Sequence, residues 1–323
     1  MNRKNWMTKA AGLAFAVLAT VASAQPFPSK PITLIVPFAP GGNLDVVART
    51  LAPAMERALG QTVVVDNKAG AGGALGAALV ARAPADGHTL LVSTPNALVV
   101  LPQMTKTSYK LDNFQPVGLA ATTALVIVVK GSDARFKDIA ALLDYIRANP
   151  GKSSMGHAGL GTTNHVALMQ MEDAARLKLN IIPYKGGAPA LVDLIGGQVD
   201  AVLDQLSSSA PHIQSGALRA LAVLSRERDP ALPNVPTLRE AGLTDFDAST
   251  AAGLLAPAGT PAAVIEVLNA ALRKALAEDA VRTRLASVGS VARPSSAQEF
   301  GQLLNQEDAR AQALAKAGKL KAD

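Results

Sequence analysis

Cysteine is absent from all 323 residues. That excludes disulfides, thiolate zinc sites and thiol nucleophiles, so an exported form of this chain must rely on a conventional packed core. Aromatic residues make up only 3% of the chain, too few to build base-stacking platforms. An excess of one charge sign is also missing. The formal net charge is +6, and it falls to +3 without the first 24 residues, which carry Arg3, Lys4 and Lys9 and no acid. The remaining excess is spread along the chain, so nucleic-acid binding is not expected. Long apolar runs are lacking too. The run Ala10 to Val21 is shorter than the ~20 residues of a membrane span, and polar residues interrupt every later run. Its basic start and the closing Ala22-Ser23-Ala24 make it a secretory signal, with cleavage expected after Ala24.

Short β-branched runs alternating with helical patterns fill the rest. Ile32 to Val36, Thr62 to Asp66, Thr89 to Ser93, Ala124 to Val129, Asn180 to Pro183 and Ala201 to Leu203 read as strands;. Helices are expected over Val46 to Leu59, Ala74 to Ala83, Asp138 to Ala148 and Val166 to Leu177. The alternation implies α/β architecture, with mainly parallel sheets flanked by helices. The part from Thr260 onward is almost wholly helical, with Thr260-Pro261 as N-cap and first helical residue, and Ser296 with Glu299 as a capping box;. Thr237 and Glu240 form a second box, expected to open a short helix that ends at Gly242. About 300 mature residues exceed what one core comfortably holds, so two lobes are expected. Residues 25–124 plus 248–323 form the first and 125–247 the second, with strand-like crossings near Val117 to Val129 and Ala248 to Ala256.

Two strand-to-helix turns carry the chemistry. Pro37-Phe-Ala-Pro-Gly-Gly-Asn-Leu-Asp45 follows the first strand. Its glycines let backbone approach an anion at a helix start, Asn43 is a candidate N-cap, and Phe38 is placed to cover an organic ligand. His157-Ala-Gly-Leu-Gly-Thr-Thr-Asn-His165 repeats the pattern in the second lobe, so two helix N-termini could grip one anion across a cleft. Asp204 and Tyr184 stand at strand ends, where ligands bind in open α/β sheets; a helix cap and a packing role are the plain alternatives. A dinucleotide reading of Gly70-Ala-Gly-Gly73 fails because Leu75 occupies the third glycine position;. No serine sits in a nucleophile elbow, no carboxylates are paired for acid–base work, and His157 and His165 are wrongly spaced for a metal on one helix turn. No catalytic residue, metal or cofactor is therefore expected.

Read together, Pro37-Phe-x-x-Gly-Gly-x-x-Asp-x-x-Ala-Arg49, Asn67-Lys-x-Gly-Ala-Gly-Gly73, Asp86-Gly-His-Thr-Leu90, Gly159-x-Gly-Thr-x-x-His165 and Pro183-Tyr-Lys-Gly-Gly-Ala-Pro-Ala190 resemble the periplasmic solute-binding proteins of tripartite tricarboxylate transporters, the Bug receptors of Bordetella. Gly196-Gly-Gln-Val-Asp200, Leu232-Pro-x-Val-Pro-Thr237 with Glu240-Ala-Gly242, and Ala256-Pro-Ala-Gly-Thr-Pro261 extend the likeness over essentially the whole mature chain. The resemblance implies a two-lobed, type II-like periplasmic binding protein that closes over a small carboxylate, held by backbone amides and water rather than by arginine. Carried over by position, it implies a site of Phe38, Ala39, Gly42, Asn43 and Asp45 in the first lobe and Gly159, Gly161, Thr162, Thr163 and Asn164 in the second. Ser93, Asn96 and Tyr184 would line the cleft, and Asp204 would face the distal end of the ligand. It also implies membrane transporter subunits as partners, a periplasmic location and a monomer. Because a carboxylate beside a bound anion would repel it, Asp45 is expected to turn into its own loop. One departure stands out: Thr250 occupies a position where such receptors often carry tryptophan. A sensory receptor that presents ligand to a signalling protein would use the same fold, and an exported enzyme would need a nucleophile–base pair that the sequence does not offer.

Overall fold

The computed structural model describes residues 27–243 and 247–320. The leader proposed over residues 1–24 lies outside these. From the N-terminal side the chain forms β1 (Ile32–Val36), α1 (Asn43–Leu59), β2 (Val63–Asn67), α2 (Ala74–Ala81), β3 (Thr89–Ser93), α3 (Pro95–Val99) and α4 (Leu101–Met104). The long strand β4 (Phe114–Lys130) follows, then α5 (Ile139–Ala148), β5 (Ser154–His157), α6 (Thr163–Ala175), β6 (Asn180–Pro183) and α7 (Gly187–Gly196). Next come β7 (Ala201–Gln205), α8 (Leu206–Gln214) and β8 (Leu218–Val223). The chain returns through β9 (Ser249–Pro257) to α9 (Ala262–Ala277), α10 (Asp279–Ala286), β10 (Ser290–Ala292) and α11 (Ala297–Lys316).

One strand belongs to two sheets. Residues 114–124 of β4 pair with β9, and β10 joins the same stretch, giving the order β2-β1-β3-β9-β4-β10. Residues 125–130 of β4 pair with β7 on one side and β8 on the other, giving β8-β4-β7-β5-β6. The pairings β1–β2, β1–β3, β5–β6 and β5–β7 are parallel, as expected for βαβ units, whereas β4 and β9 run antiparallel to their neighbours. The sheets are therefore mixed rather than mainly parallel. β4 is the strand that passes from one sheet into the other, and β9 runs antiparallel beside its first part.

Each sheet has its own core. Ile32, Leu34 and Val36 of β1 pack with Val47, Leu51 and Met55 of α1 and with Leu268 and Leu272 of α9. In the other lobe, Leu125, Ile127 and Val129 of β4 pack with Leu142 and Ile146 of α5 and Leu168 and Met171 of α6. Two local expectations shift. Thr260 does not cap α9. Its hydroxyl donates to Pro257 O at 2.7 Å and Pro261 takes the N-cap position. The Thr237–Glu240 box does form, with Thr237 N to Glu240 Oε2 at 2.7 Å and Glu240 N to Thr237 Oγ1 at 3.0 Å, but it closes only a hydrogen-bonded turn. Four residues between Thr237 and Gly242 are too few to repeat the helical bond;.

Candidate ligand-binding site

Strand ends in both lobes place helix starts around one point. A small cavity of about 30 Å³ is walled by Phe38, Gly42, Asn43 and Leu44, by Thr94, by Ala158, Thr162 and Thr163, and by Gly187 and Gln205. These residues open or immediately precede α1, α3, α6, α7 and α8. The first N–H groups of a helix have no carbonyl partner within it, and their aligned dipoles favour negative charge. Gly42, Gly186 and Gln205, the N-caps of α1, α7 and α8, supply no side-chain cap. No lysine, arginine or histidine lines the cavity. Any preference of the cavity for an anion therefore falls to backbone N–H groups and neutral side chains.

Asn43 adds a side-chain donor. It sits at the first helical position, not at the cap as expected, because Gly42 takes the extended cap conformation. Freed from capping, Asn43 Oδ1 accepts from Thr123 Oγ1 at 3.0 Å and from Ser207 Oγ at 2.7 Å. Its Nδ2 is buried with no protein partner. The Ser207 bond joins the two lobes, as does the bond from Ala39 N to Lys185 O at 3.1 Å. The cleft is closed.

Asp45 supports the turn from beneath. One carboxylate oxygen accepts from Gly41 N at 2.9 Å and the other from Asn67 Nδ2 at 2.9 Å, while Arg49 Nε lies 3.0 Å from both. Burial raises this carboxyl, but the bonds from Arg49, Gly41 and Asn67 outweigh it and hold the group below the usual carboxylate range;. Its side chain turns into the loop and away from the cavity, so it positions the turn.

Of the residues put forward from sequence, Phe38, Gly42, Asn43, Thr162 and Thr163 meet at the cavity wall. The others stand behind it. Ala39 spends its N–H on the opposite lobe. Gly159 N donates to His157 Nδ1 at 3.2 Å and Gly161 N to His165 Nδ1 at 3.3 Å, and the two imidazoles stack at 4.7 Å. Asn164 bridges Leu203 O and Gln205 Nε2, each at 2.8 Å. Ser93 is fully buried, its hydroxyl donating to Thr94 O. Tyr184 donates to Asp193 at 2.8 Å, and burial together with that carboxylate pushes its hydroxyl up to about 12. Asn96 lines a separate groove, described below.

Asp204 is also behind the wall. Its Oδ2 accepts from Ser208 at 2.5 Å and Ser209 at 2.7 Å in the first turn of α8. Its Oδ1 is buried and unpaired, close enough to Gly187 that a Cβ there would lie 2.3 Å away. Burial pushes this carboxyl up, and the two serines offset only part of that. Gln205, not Asp204, takes the N-cap position of α8, and Asp204 meets that helix through two serine hydroxyls. Leu44, Thr94, Ala158, Gly187 and Gln205 line the cavity and were missed. Gln205 was lost because β7 runs two residues beyond its apolar triplet. Thr250, where tryptophan was noted as absent, is fully buried and accepts from Gln205 Nε2 at 3.3 Å.

The family model described as tripartite tricarboxylate transporter family receptor matches residues 47–320. This chain belongs to that family. A UPF0065 protein from the tcbD-tcbE intergenic region of Pseudomonas sp. strain P51 is 43% identical over 309 residues, covering 94% of this chain and 92% of its own. The solved structure of the periplasmic binding protein BugD is 36% identical with a TM-score of 0.86, covering 91% of this chain and 100% of that one. MatC from Rhodopseudomonas palustris with bound malate is 34% identical with a TM-score of 0.84, covering 90% and 100%. The Bug-type fold is thus a two-lobed α/β periplasmic binding protein, and the receptor family is one of solute binding rather than catalysis. Among the described residues no helix is long and apolar enough to cross a membrane, and no three His, Asp or Glu side chains gather as a metal site.

Proposed function

We propose that this receptor captures a small carboxylate in the cavity between its lobes and delivers it, as a monomer, to the membrane subunits of a tripartite tricarboxylate-type transporter. Export with cleavage after Ala24 belongs to this reading. So do hinges at 124/125 and 247/248, which separate residues 25–124 plus 248–323 from 125–247. One observation carries it: helix N-termini from both lobes meet, with an unpaired Asn43 amide, at a cavity without a cationic side chain. Such a site favours an anion through fixed dipoles, and the malate of MatC is a carboxylate in a protein of the same fold.

The test is native mass spectrometry of the purified protein, followed by thermal shift with small mono- and dicarboxylates, amino acids and carboxylated amides. A ligand that binds only the folded state raises Tm by mass action, by about 2.7 kcal/mol of stability at a hundred times Kd. A co-purified or stabilising carboxylate is the expected result. No response across all of these classes rejects the anion site.

A further inference from the structure

The cavity between the helix starts is small. About 30 Å³ has room for a water or two by volume, or for a carboxylate group in their place, but not for a long acid as a whole. Immediately beside it runs a groove of about 350 Å³. Thr163 belongs to the wall of both. On the facing side, Thr94 lines the cavity while the next residues, Pro95 and Asn96, line the groove. Cavity and groove therefore lie side by side between the start of α3 and the start of α6.

The groove is lined by apolar and polar side chains in similar measure, and its apolar part is a continuous strip. Val166 and Ala167 of α6 form one side, Leu303, Ala311 and Leu314 of α11 the other, and Leu119 of β4 with Ala251 of β9 its floor. On α6 the lining positions are 163, 166, 167 and 170, one face of a helix repeating every three to four residues. Seven residues along that helix span about 10 Å. Asp247, Glu307 and Arg310 are the charged lining residues, two acids against one cation, and Gln170 is neutral. The groove thus offers no surplus of positive charge to a second carboxylate.

We infer that the preferred ligand is a monocarboxylate with an extended apolar tail, its carboxylate in the cavity and its tail passing Thr163 into the α6–α11 groove. This rests on the receptor reading and adds the class of ligand. Adjacency argues for it: Thr163 lines both spaces, and Thr94 of the cavity is followed in the chain by Pro95 and Asn96 of the groove. Each buried methylene should tighten binding by about fourfold until the chain reaches Gln170, after which affinity levels off.

The test is calorimetric titration of the full mature protein with acetate, butanoate, hexanoate, octanoate and 3-phenylpropanoate, with malate and adipate alongside. The expected result is a stepwise gain along the straight-chain series, with hexanoate or 3-phenylpropanoate ahead of both dicarboxylates. Gln170→Trp, at a partly exposed position on α6, should block the far end. It should lower octanoate affinity at least tenfold and leave butanoate and the melting temperature unchanged. Affinity independent of tail length, dicarboxylates ahead of all monoacids, or Gln170→Trp without effect on octanoate each overturns the tail assignment while leaving a carboxylate receptor intact. Binding of none of the seven acids counts against the receptor reading itself.

Discussion

Asn43 has one amide donor more than its protein surroundings use. Two hydroxyls, from Thr123 in one lobe and Ser207 in the other, fix its oxygen and leave Nδ2 without a partner. A buried unpaired amide costs about 1–3 kcal/mol, and a bound carboxylate would relieve that cost. Asn43→Asp keeps the shape, replaces the donor with an acceptor and adds a negative charge where the anion sits. Carboxylate affinity should fall at least tenfold, about 1.4 kcal/mol, with the circular dichroism spectrum unchanged. Retained affinity in titration calorimetry rejects Asn43 as a ligand contact. A second residue-scale consequence concerns acid. Burial first, and then the neighbouring His165, push His157 down to about 3. The unfolded chain, with an ordinary histidine near 6.5, binds the proton first as pH falls. The stability tied to neutral His157 is therefore complete above pH 6.5 and is lost between there and about 3, by about 1.4 kcal/mol per pH unit at most. Asp204, shifted upward by burial, opposes this: its folded form takes up a proton above the ordinary carboxylate range and so gains relative stability as pH falls through that raised value;. Urea unfolding at pH 7.5, 6.0 and 5.0 should show declining stability, and His157→Gln should flatten the decline. Equal slopes for both proteins would assign the pH dependence to other groups.

At the scale of elements, the turn before α1 depends on Asp45 more than on its glycines. The carboxylate gathers Gly41, Arg49 and Asn67, and Asn67 in turn donates to Phe38 O at 3.0 Å, so one acid links β1, β2 and the start of α1. Asp45→Ala should cost about 1–3 kcal/mol of stability, since several buried donors lose their acceptor. Carboxylate affinity should weaken with it, because Gly42 and Asn43 are no longer held in place. A denaturation midpoint equal to that of the parent protein would show that the turn holds itself. This part of the molecule was legible in sequence, as a strand, a proline–glycine turn and an amphipathic helix are local patterns. The α6 turn and β6 were legible for the same reason. Less was readable where geometry between distant segments decides. Asn43 has the chemistry of a cap, yet Gly42 caps and Asn43 reaches Ser207, 164 residues away. Gly187 enters the cavity wall only because β6 and α7 place it opposite Gly42. The fourteen site positions were chosen by turn chemistry and family likeness, and neither distinguishes a residue on the wall from one bracing it, such as Asn164 or Asp204.

Across the whole molecule, two cores are joined by β4, which belongs to both sheets. On the receptor reading proposed above, such a joint would let each lobe keep its own packing while the cleft opens and closes. The contacts that end the closing motion are backbone-close. A Cβ on Gly72 of the first lobe would lie 2.2 Å from Leu160 O of the second, and one on Gly161 would lie 2.8 Å from Leu101. A carbonyl oxygen in a tight turn cannot swing aside as a long side chain can, so these glycines set how far the lobes approach. Gly72 also has a φ of +62°, a conformation that costs alanine about 1–2 kcal/mol. Gly72→Ala should therefore show two separable effects. The melting temperature should drop slightly, from local strain in the first lobe. Ligand affinity should fall by a larger factor, because the closed state is blocked whatever the ligand. Small-angle scattering distinguishes them: the parent protein should contract when a bound carboxylate closes it, and the variant should keep the same radius with and without ligand. A variant that binds and contracts like the parent would mean that the loops at 72 and 160 yield to one another, and that closure is limited elsewhere in the cleft.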